Sequence, residues 1–422
     1  MNEEFLYYLW TYKLMNSKLK TTTGSDVIIH SPGQRNYDAG PDFFNAIIDI
    51  GPTKWAGNIE IHVNASDWFK HNHDRDNNYD NIIIHIVYNN DVSIKRKSGD
   101  IIPALELKNQ FQKQFFKLYS KLVLSIDDIS CSGELQNIKT ITKIQWFERL
   151  AFDRLQNKSQ KVQELLNTTN GDFFEVALQK IARSFGYSVN ADAMEQLAKS
   201  IGHKIILKHS TNRLQLESLF FGASGLINNT QNGKYPTFIK TEYKYLKSKY
   251  KIKNSSNKVW KFMRMRPANF PTIRISQMSG VLYNISGDLT QLFELDDINK
   301  LRKLLSSKAS KYWDTHYRFG NEVSSRVKKI GPTTIDIIIL NTIMPLVFSY
   351  GKITGKQVYI DRVINWSSKI KPENNKITRK FKSLGVDTDN ALDSQAIIEL
   401  YNSYCKEKQC LKCMFGQKII SG

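Results

Sequence analysis

Apolar positions change their period along these 422 residues, and each change predicts a different kind of element. Between Glu4 and Leu19, Phe5, Tyr8, Leu9 and Tyr12 recur at helical spacing, which predicts an opening helix. After Thr21-Thr22-Thr23-Gly24 the pattern shortens to β-branched runs at Val27–His30, Phe43–Ile50, Ile59–Val63, Ile82–Tyr88 and Ile101–Leu107. Pro-Gly, Gly-Pro, Asn-Asn-Asp and Ser-Gly-Asp turn signals separate them, so they predict strands. Ile82 to Tyr88 is apolar on both faces, as a strand covered on both sides must be. From about Thr142 the period lengthens again. Trp146, Phe147, Leu150, Ala151, Arg154 and Leu155 make one helical stripe, Phe173–Phe185 a second ended by Gly186, and Asp192–Ile201 a third ended by Gly202. Further stripes cover Leu289–Leu305, Ile337–Tyr350 with Pro345 inside it, and Ser394–Cys405. The expectation is an α/β domain over residues 1–125 and a large, mostly α-helical domain over 126–422, with the polar run Asn254-Ser255-Ser256-Asn257 as a candidate internal seam.

Composition adds two constraints. With 41% hydrophobic residues and 10 prolines the chain can bury a sizeable core, which excludes disordered and fibrous classes. Its net charge of +20 points to a polyanionic partner, nucleic acid ahead of a membrane surface. That charge is unevenly spread: residues 1–100 hold 10 Lys and Arg against 13 Asp and Glu, leaving +23 for the rest of the chain. Five of the eight histidines (His30, His62, His71, His73, His85) also fall before residue 90. The acidic start is unlike a targeting leader, and no run approaches the roughly 18 uninterrupted apolar residues of a spanning helix, so the expected location is cytoplasmic.

The chemistry concentrates in Asn36–Phe43, Gly57–His62 and Asp67–Asp80. A strand places Asn58, Glu60 and His62 on one face and Ile59, Ile61 and Val63 on the other. Asp42, opening the neighbouring strand, could then join Glu60 in holding Mg²⁺ or Mn²⁺, with His62, His71 or His73 as base or leaving-group acid. Asp38, Asp67, Asp76 and Asp80 are candidate partners orienting the histidines, or turn residues. Mutating Asp42 or Glu60 is expected to leave the core intact, because a hydrated metal site contributes little to it. The blander reading is a solvated acidic loop, with His85 a hydrogen-bonded core residue.

Asn36-x-Asp38-Ala39-Gly40-Pro41-Asp42-Phe43-x-Asn45-Ala46, Trp55-x-Gly57-Asn58-x-Glu60-x-His62, Ser66-Asp67-Trp68 and His71-x-His73 resemble the bacterial domain-of-unknown-function family 2851. The likeness extends to Phe185-Gly186-Tyr187 with Asn190, Arg264-x-Arg266-Pro267, Trp313-x-x-His316-Tyr317 and the closing cysteines. Pro41-Asp42 with Glu60-x-His62 is also similar to the PD-(D/E)xK nuclease signature, with His62 where lysine is usual. Trp68-x-x-His71-x-His73-Asp74 resembles the histidine-using branch of very-short-patch mismatch endonucleases. The resemblance implies a restriction-endonuclease-like fold for the first domain and metal-dependent cleavage of DNA or RNA. A non-catalytic nucleic-acid-binding or scaffold protein with a structural Asp/His-rich segment is the alternative.

Two further signals stand apart. Cys131 with Cys405-x4-Cys410-x2-Cys413 could close a site for zinc or an iron–sulfur cluster, or remain as reduced thiols. Lys240 to Arg274 holds 11 Lys and Arg and one acid, with Tyr243, Tyr245, Tyr250, Trp260 and Phe262 interleaved. Lys247, Lys249, Lys251, Lys261, Arg264 and Arg266 are therefore candidates for phosphate contacts. Gly351–Gln357 lacks the phosphate-loop spacing, and no Gly-x-Ser-x-Gly, His-Glu-x-x-His or dinucleotide motif occurs, which removes ATPase, serine hydrolase and zincin readings.

Overall fold

In the computed structural model, which describes residues 1–227, 233–252 and 260–422, the opening helix α1 spans Glu3–Thr11. Asn2 caps it by accepting the Phe5 N–H at 3.2 Å, and Glu3 and Glu4 complement the positive end of its dipole. Its apolar face, Phe5, Leu6, Leu9 and Trp10, is fully buried against a mixed sheet. Each such side chain contributes about 1.5–3 kcal/mol by leaving water.

The sheet comprises β1 (Leu19–Lys20), β2 (Asp26–Ser31), β3 (Gln34–Arg35), β4 (Phe43–Ile50), β5 (Thr53–Asn64), β6 (Ile82–Asn89) and β7 (Ala104–Glu106), in the order β1-β2-β4-β5-β6-β7 with β3 also beside β4. β2, β4 and β5 pair antiparallel, whereas β5, β6 and β7 run parallel. Parallel neighbours cannot be joined by a tight turn. Residues 65–81 make the necessary crossover from β5 to β6, through the short helix α2 (Asp67–Lys70) and two 3-10 turns. Gly57 admits this pairing at close range: a Cβ there would lie 2.4 Å from Ile83 Cγ2. The expected strand Ile101–Leu107 shortens to β7, since Ile101 and Ile102 leave the ladder ahead of Pro103.

Helix α3 (Lys113–Val123) packs with this sheet, and α4 (Thr140–Thr168) begins the helical part. The chain divides into two units. One is 1–147 with 376–387 and 397–422; the other is 148–375 with 388–396. The closing residues thus fold with the N-terminal sheet and not with the helices before them, so the division differs from a single cut at 125/126.

In the second unit follow α5 (Phe173–Phe185), α6 (Ala191–Ile201), α7 (His203–His209), α8 (Arg213–Ser224), α9 (Lys234–Tyr250) and α10 (Pro271–Asn284). α8 and α10 are buried nearly all round and form its centre. There the buried Glu217 carboxylate accepts hydrogen bonds from the Tyr235 hydroxyl at 2.8 Å and from Ser276. The expected stripe Leu289–Leu305 breaks into Gln291–Glu294 and Ile298–Leu305, because the Asp297 side chain caps the second piece at the Asn299 N–H. Pro345 does not break its helix. It falls in the first turn after a π-helical segment, inside an apolar run from Pro332 to Thr354. That run is long and apolar enough to cross a membrane, yet 72% of its most apolar window is buried within the protein. The polar run 254–257, with Lys253 and Lys258, lies outside the described residues.

Candidate metal centre

β5 turns Glu60 and His62 to one face, where both are nearly fully buried, at 5% and 1% exposure. The register of the parallel pair sets Glu60 beside His85 of β6. The 65–81 crossover passes over the same face and carries His71 and His73. Between them Asn72 adopts a left-handed conformation (φ 62°), which reverses the chain so that both imidazoles reach the β5 face. Trp68 and Tyr79 wall the cluster: the Tyr79 ring stacks on His73 at 3.8 Å, and Trp68 meets His62, His73 and His85 edge-on.

Inside this box the ring nitrogens converge. His62 Nε2 lies 3.1 Å from His71 Nδ1, and His62 Nδ1 lies 2.9 Å from His85 Nε2. Glu60 Oε1 is 3.2 Å from His73 Nε2 and 3.5 Å from His62 Nε2. Among the described residues His73 Nε2 nevertheless has no hydrogen-bond partner. One ligand atom each from His62, His71 and His73 lie within 4.8 Å of one another, a convergence that could hold a metal ion. Ligands bonded at about 2.0–2.2 Å to one ion sit roughly 3.0–3.5 Å apart, the spacing of Glu60 Oε1 from two of these imidazoles.

Burial dominates the electrostatics. It pushes Glu60 up to about 9, helped by the nearby Asp42 charge, and drives His62 down to about 2, with His85, His73 and His71 adding to the fall. His85 drops to about 3 and His73 is lowered as well, burial leading in each case. His62, His73 and His85 are therefore neutral at physiological pH, the form in which imidazole binds metal. A cation beside Glu60 would oppose the rise in its pKa.

Asp42 is differently placed. Its Oδ1 takes the Arg35 guanidinium at 2.8 Å and its Oδ2 accepts the Ile61 N–H at 2.9 Å, while its own N–H donates to Glu60 Oε2 at 3.1 Å. Both oxygens are committed, and the residue ties β3 and β4 to β5. Arg35 is fixed in turn by stacking on Tyr7, 3.5 Å from the ring centre. The geometry thus gathers Glu60, His62, His71 and His73, with His85 behind them and Asp42 as a brace. Asp67 accepts the Asn64 N–H and pairs with Lys70, Asp76 caps a turn at the Asn78 N–H, Asp80 offers its carbonyl to Arg96, and Asp38 lies in a loop gathered by the Asn36 amide. Among the described residues none of these four hydrogen-bonds to His71 or His73. Sequence reasoning missed Arg35 and the part played by His85. The pairing of two strands could have signalled His85, because Glu-x-His beside an isolated His in an apolar strand fits one shared face.

The basic segment is partly core. Tyr243 packs on Gly222, and Trp260 donates its indole N–H to Ser224 O at 2.9 Å. Tyr245 is 58% exposed. Lys240, Lys244, Lys247 and Lys251 fall at helical spacing along α9 and just past its end, and Lys249, Lys261, Arg264 and Arg266 are exposed.

The four cysteines all belong to the first unit. Residues 3–376 match the family model described as a protein of unknown function, DUF2851, so the match ends before Cys405. No curated protein and no solved structure matches the chain.

Proposed function

The chain belongs to the DUF2851 family, and from its histidine centre we propose a metal-dependent nuclease acting on DNA or RNA in the cytoplasm. The convergence of His62, His71 and His73 beside Glu60 carries this reading. An imidazole-rich donor set favours Mn²⁺ or Zn²⁺ over the Mg²⁺ that paired carboxylates would take. The ion would supply Lewis acidity and a bound water ionised near neutral pH. His71, the exposed member of the set, marks the side from which a phosphodiester approaches. In that reaction the water oxygen would bond to phosphorus as the ester P–O bond breaks, and the proton lost by the water would pass to the leaving alkoxide. The strand order supports a restriction-endonuclease-like core: Pro41-Asp42 opens β4, Glu60-x-His62 lies on its neighbour β5, and two parallel strands follow. The lysine row on α9 suits sequence-independent phosphate contacts.

The second reading is a structural metal or histidine cluster in a non-catalytic nucleic-acid-binding protein. The depth of His62, His85 and Glu60 favours it. One experiment separates the two. The full chain is incubated with single- and double-stranded DNA and RNA under Mn²⁺, Zn²⁺, Mg²⁺ or chelator, beside His71→Ala and Glu60→Gln. Cleavage that needs Mn²⁺ or Zn²⁺ and fails in both variants supports the nuclease. Metal bound stoichiometrically with every substrate intact overturns it in favour of the structural reading.

A further inference from the structure

The cysteines form a second constellation, independent of the histidine centre. Cys131 lies beyond α3 in sequence, and Cys405, Cys410 and Cys413 lie near the C-terminus. Direct hydrogen bonds bring the two segments together. Lys408 Nζ donates to the carbonyls of Ser125, at 3.1 Å, and Asp127, and to Ser130 Oγ at 3.0 Å. The Tyr401 hydroxyl donates to Asp128 Oδ1 at 2.8 Å. All six sulfur pairs are then near enough to repel one another as thiolates. Burial leads that repulsion in raising the thiols, Cys131 to about 12 and Cys413 to about 11, with Cys405 and Cys410 also raised.

Their spacing is looser than four ligands of one zinc ion would need. Among the described residues no trio of these sulfurs lies mutually within 4.8 Å, as the histidines do. Four thiolates on one zinc, bonded at about 2.3 Å, sit roughly 3.8 Å apart. A four-iron cubane holds its cysteine sulfurs roughly 6 Å apart. The sulfurs are also surrounded by donors. Cys413 is 5% exposed, and the nearby backbone N–H groups of Phe415 and Gly416 favour its thiolate. The Trp146 indole N–H, buried and without another partner, faces the same sulfur, and the Ser130 hydroxyl reaches Cys410. Such donors stabilise the negative charge of a bound cluster and tune its potential. Gly416 permits the tight return of the chain, since a Cβ there would lie 2.1 Å from the Cys410 carbonyl oxygen.

We propose that Cys131, Cys405, Cys410 and Cys413 ligate a [4Fe–4S] cluster that fastens the C-terminal segment to the loop before Cys131. Taken up as a preassembled unit, the cluster forms four Fe–Sγ bonds as its four terminal Fe–thiolate bonds to the donor break, the four protein thiols pass their protons to the departing thiolates, and no electron changes hands.

Full-length protein purified without oxygen, or supplied with a preassembled cluster, should be brown, absorb broadly near about 400 nm and hold about four irons and four acid-labile sulfides per chain. Cys410→Ser should lose the chromophore and the sulfide, whereas His71→Ala should keep both, which separates this site from the histidine centre. Because a cysteine variant can misfold, the wild-type sulfide content is decisive by itself. Wild-type protein without acid-labile sulfide overturns the proposal, whether it holds zinc released by Cys410→Ser or only free thiols. A cluster that persists in Cys410→Ser overturns the ligand set.

Discussion

Replacing Asp42 by alanine separates a metal ligand from a structural brace. Asp42 is 15% exposed and Arg35 20%, so their 2.8 Å pair lies between the surface case, worth about 0–1 kcal/mol, and the buried case, where removing one partner costs about 3–5 kcal/mol. Partial burial puts this loss at about 1–2 kcal/mol. The Ile61 N–H, on a fully buried β5 residue, also loses its acceptor, at about 1–3 kcal/mol for an unsatisfied donor. Because the two losses share one side chain they are not strictly additive, and about 2–4 kcal/mol is the expected sum. For a unit of this size that lowers Tm by about 5–15 °C. This departs from the expectation, reasonable from sequence, that Asp42 could be removed without cost to the core. The assay is thermal unfolding of chelator-treated wild type, Asp42→Ala and His71→Ala, followed by titration of each with Mn²⁺ or Zn²⁺. His71→Ala, at the exposed edge, should unfold like the wild type and bind metal weakly. An Asp42→Ala protein with unchanged Tm and abolished metal affinity would refute the reasoning and restore Asp42 as a ligand.

Other outcomes follow from the same structure. His62 and His85 fall to about 2 and about 3 from an ordinary 6.5, so the stability they contribute is present above about pH 6.5 and lost as pH falls toward those folded values; chelator-treated protein should begin to lose Tm below pH 6.5, and His85→Phe should flatten that decline. Gly222→Ala would set a Cβ 1.9 Å from the Tyr243 ring, so calorimetry should show a loss of about 1–3 kcal/mol or more; an unchanged transition would contradict the α8–α9 packing. Reversing Lys240, Lys244 and Lys247 to Glu should weaken oligonucleotide binding and flatten its salt dependence by about one unit for each phosphate that is no longer neutralised; unchanged binding would move the nucleic-acid face elsewhere.

Periodicity alone determined the kinds of element: Phe43–Ile50 and Phe173–Phe185 form at their expected bounds, because the side-chain period of a strand or helix is a local property of the backbone. The Glu60/His62 face was legible for the same reason, as was the uneven charge. Two of the bounds that shifted, Ile101–Leu107 and Leu289–Leu305, did so at a proline and at the cap of Asp297, where one residue's hydrogen bonding outweighs the surrounding pattern. Tertiary structure decided which groups meet. That His71 and His73 fold over β5, that His85 stands behind His62, and that Asp42 spends its oxygens on Arg35 and Ile61 all depend on a crossover and a strand register joining residues distant in sequence. The return of Cys405–Cys413 to the segment around Cys131 is of the same kind. A local pattern says which face a side chain takes, but a ligand set is a matter of angstroms between ring nitrogens or sulfurs, and those distances exist only after the chain has closed.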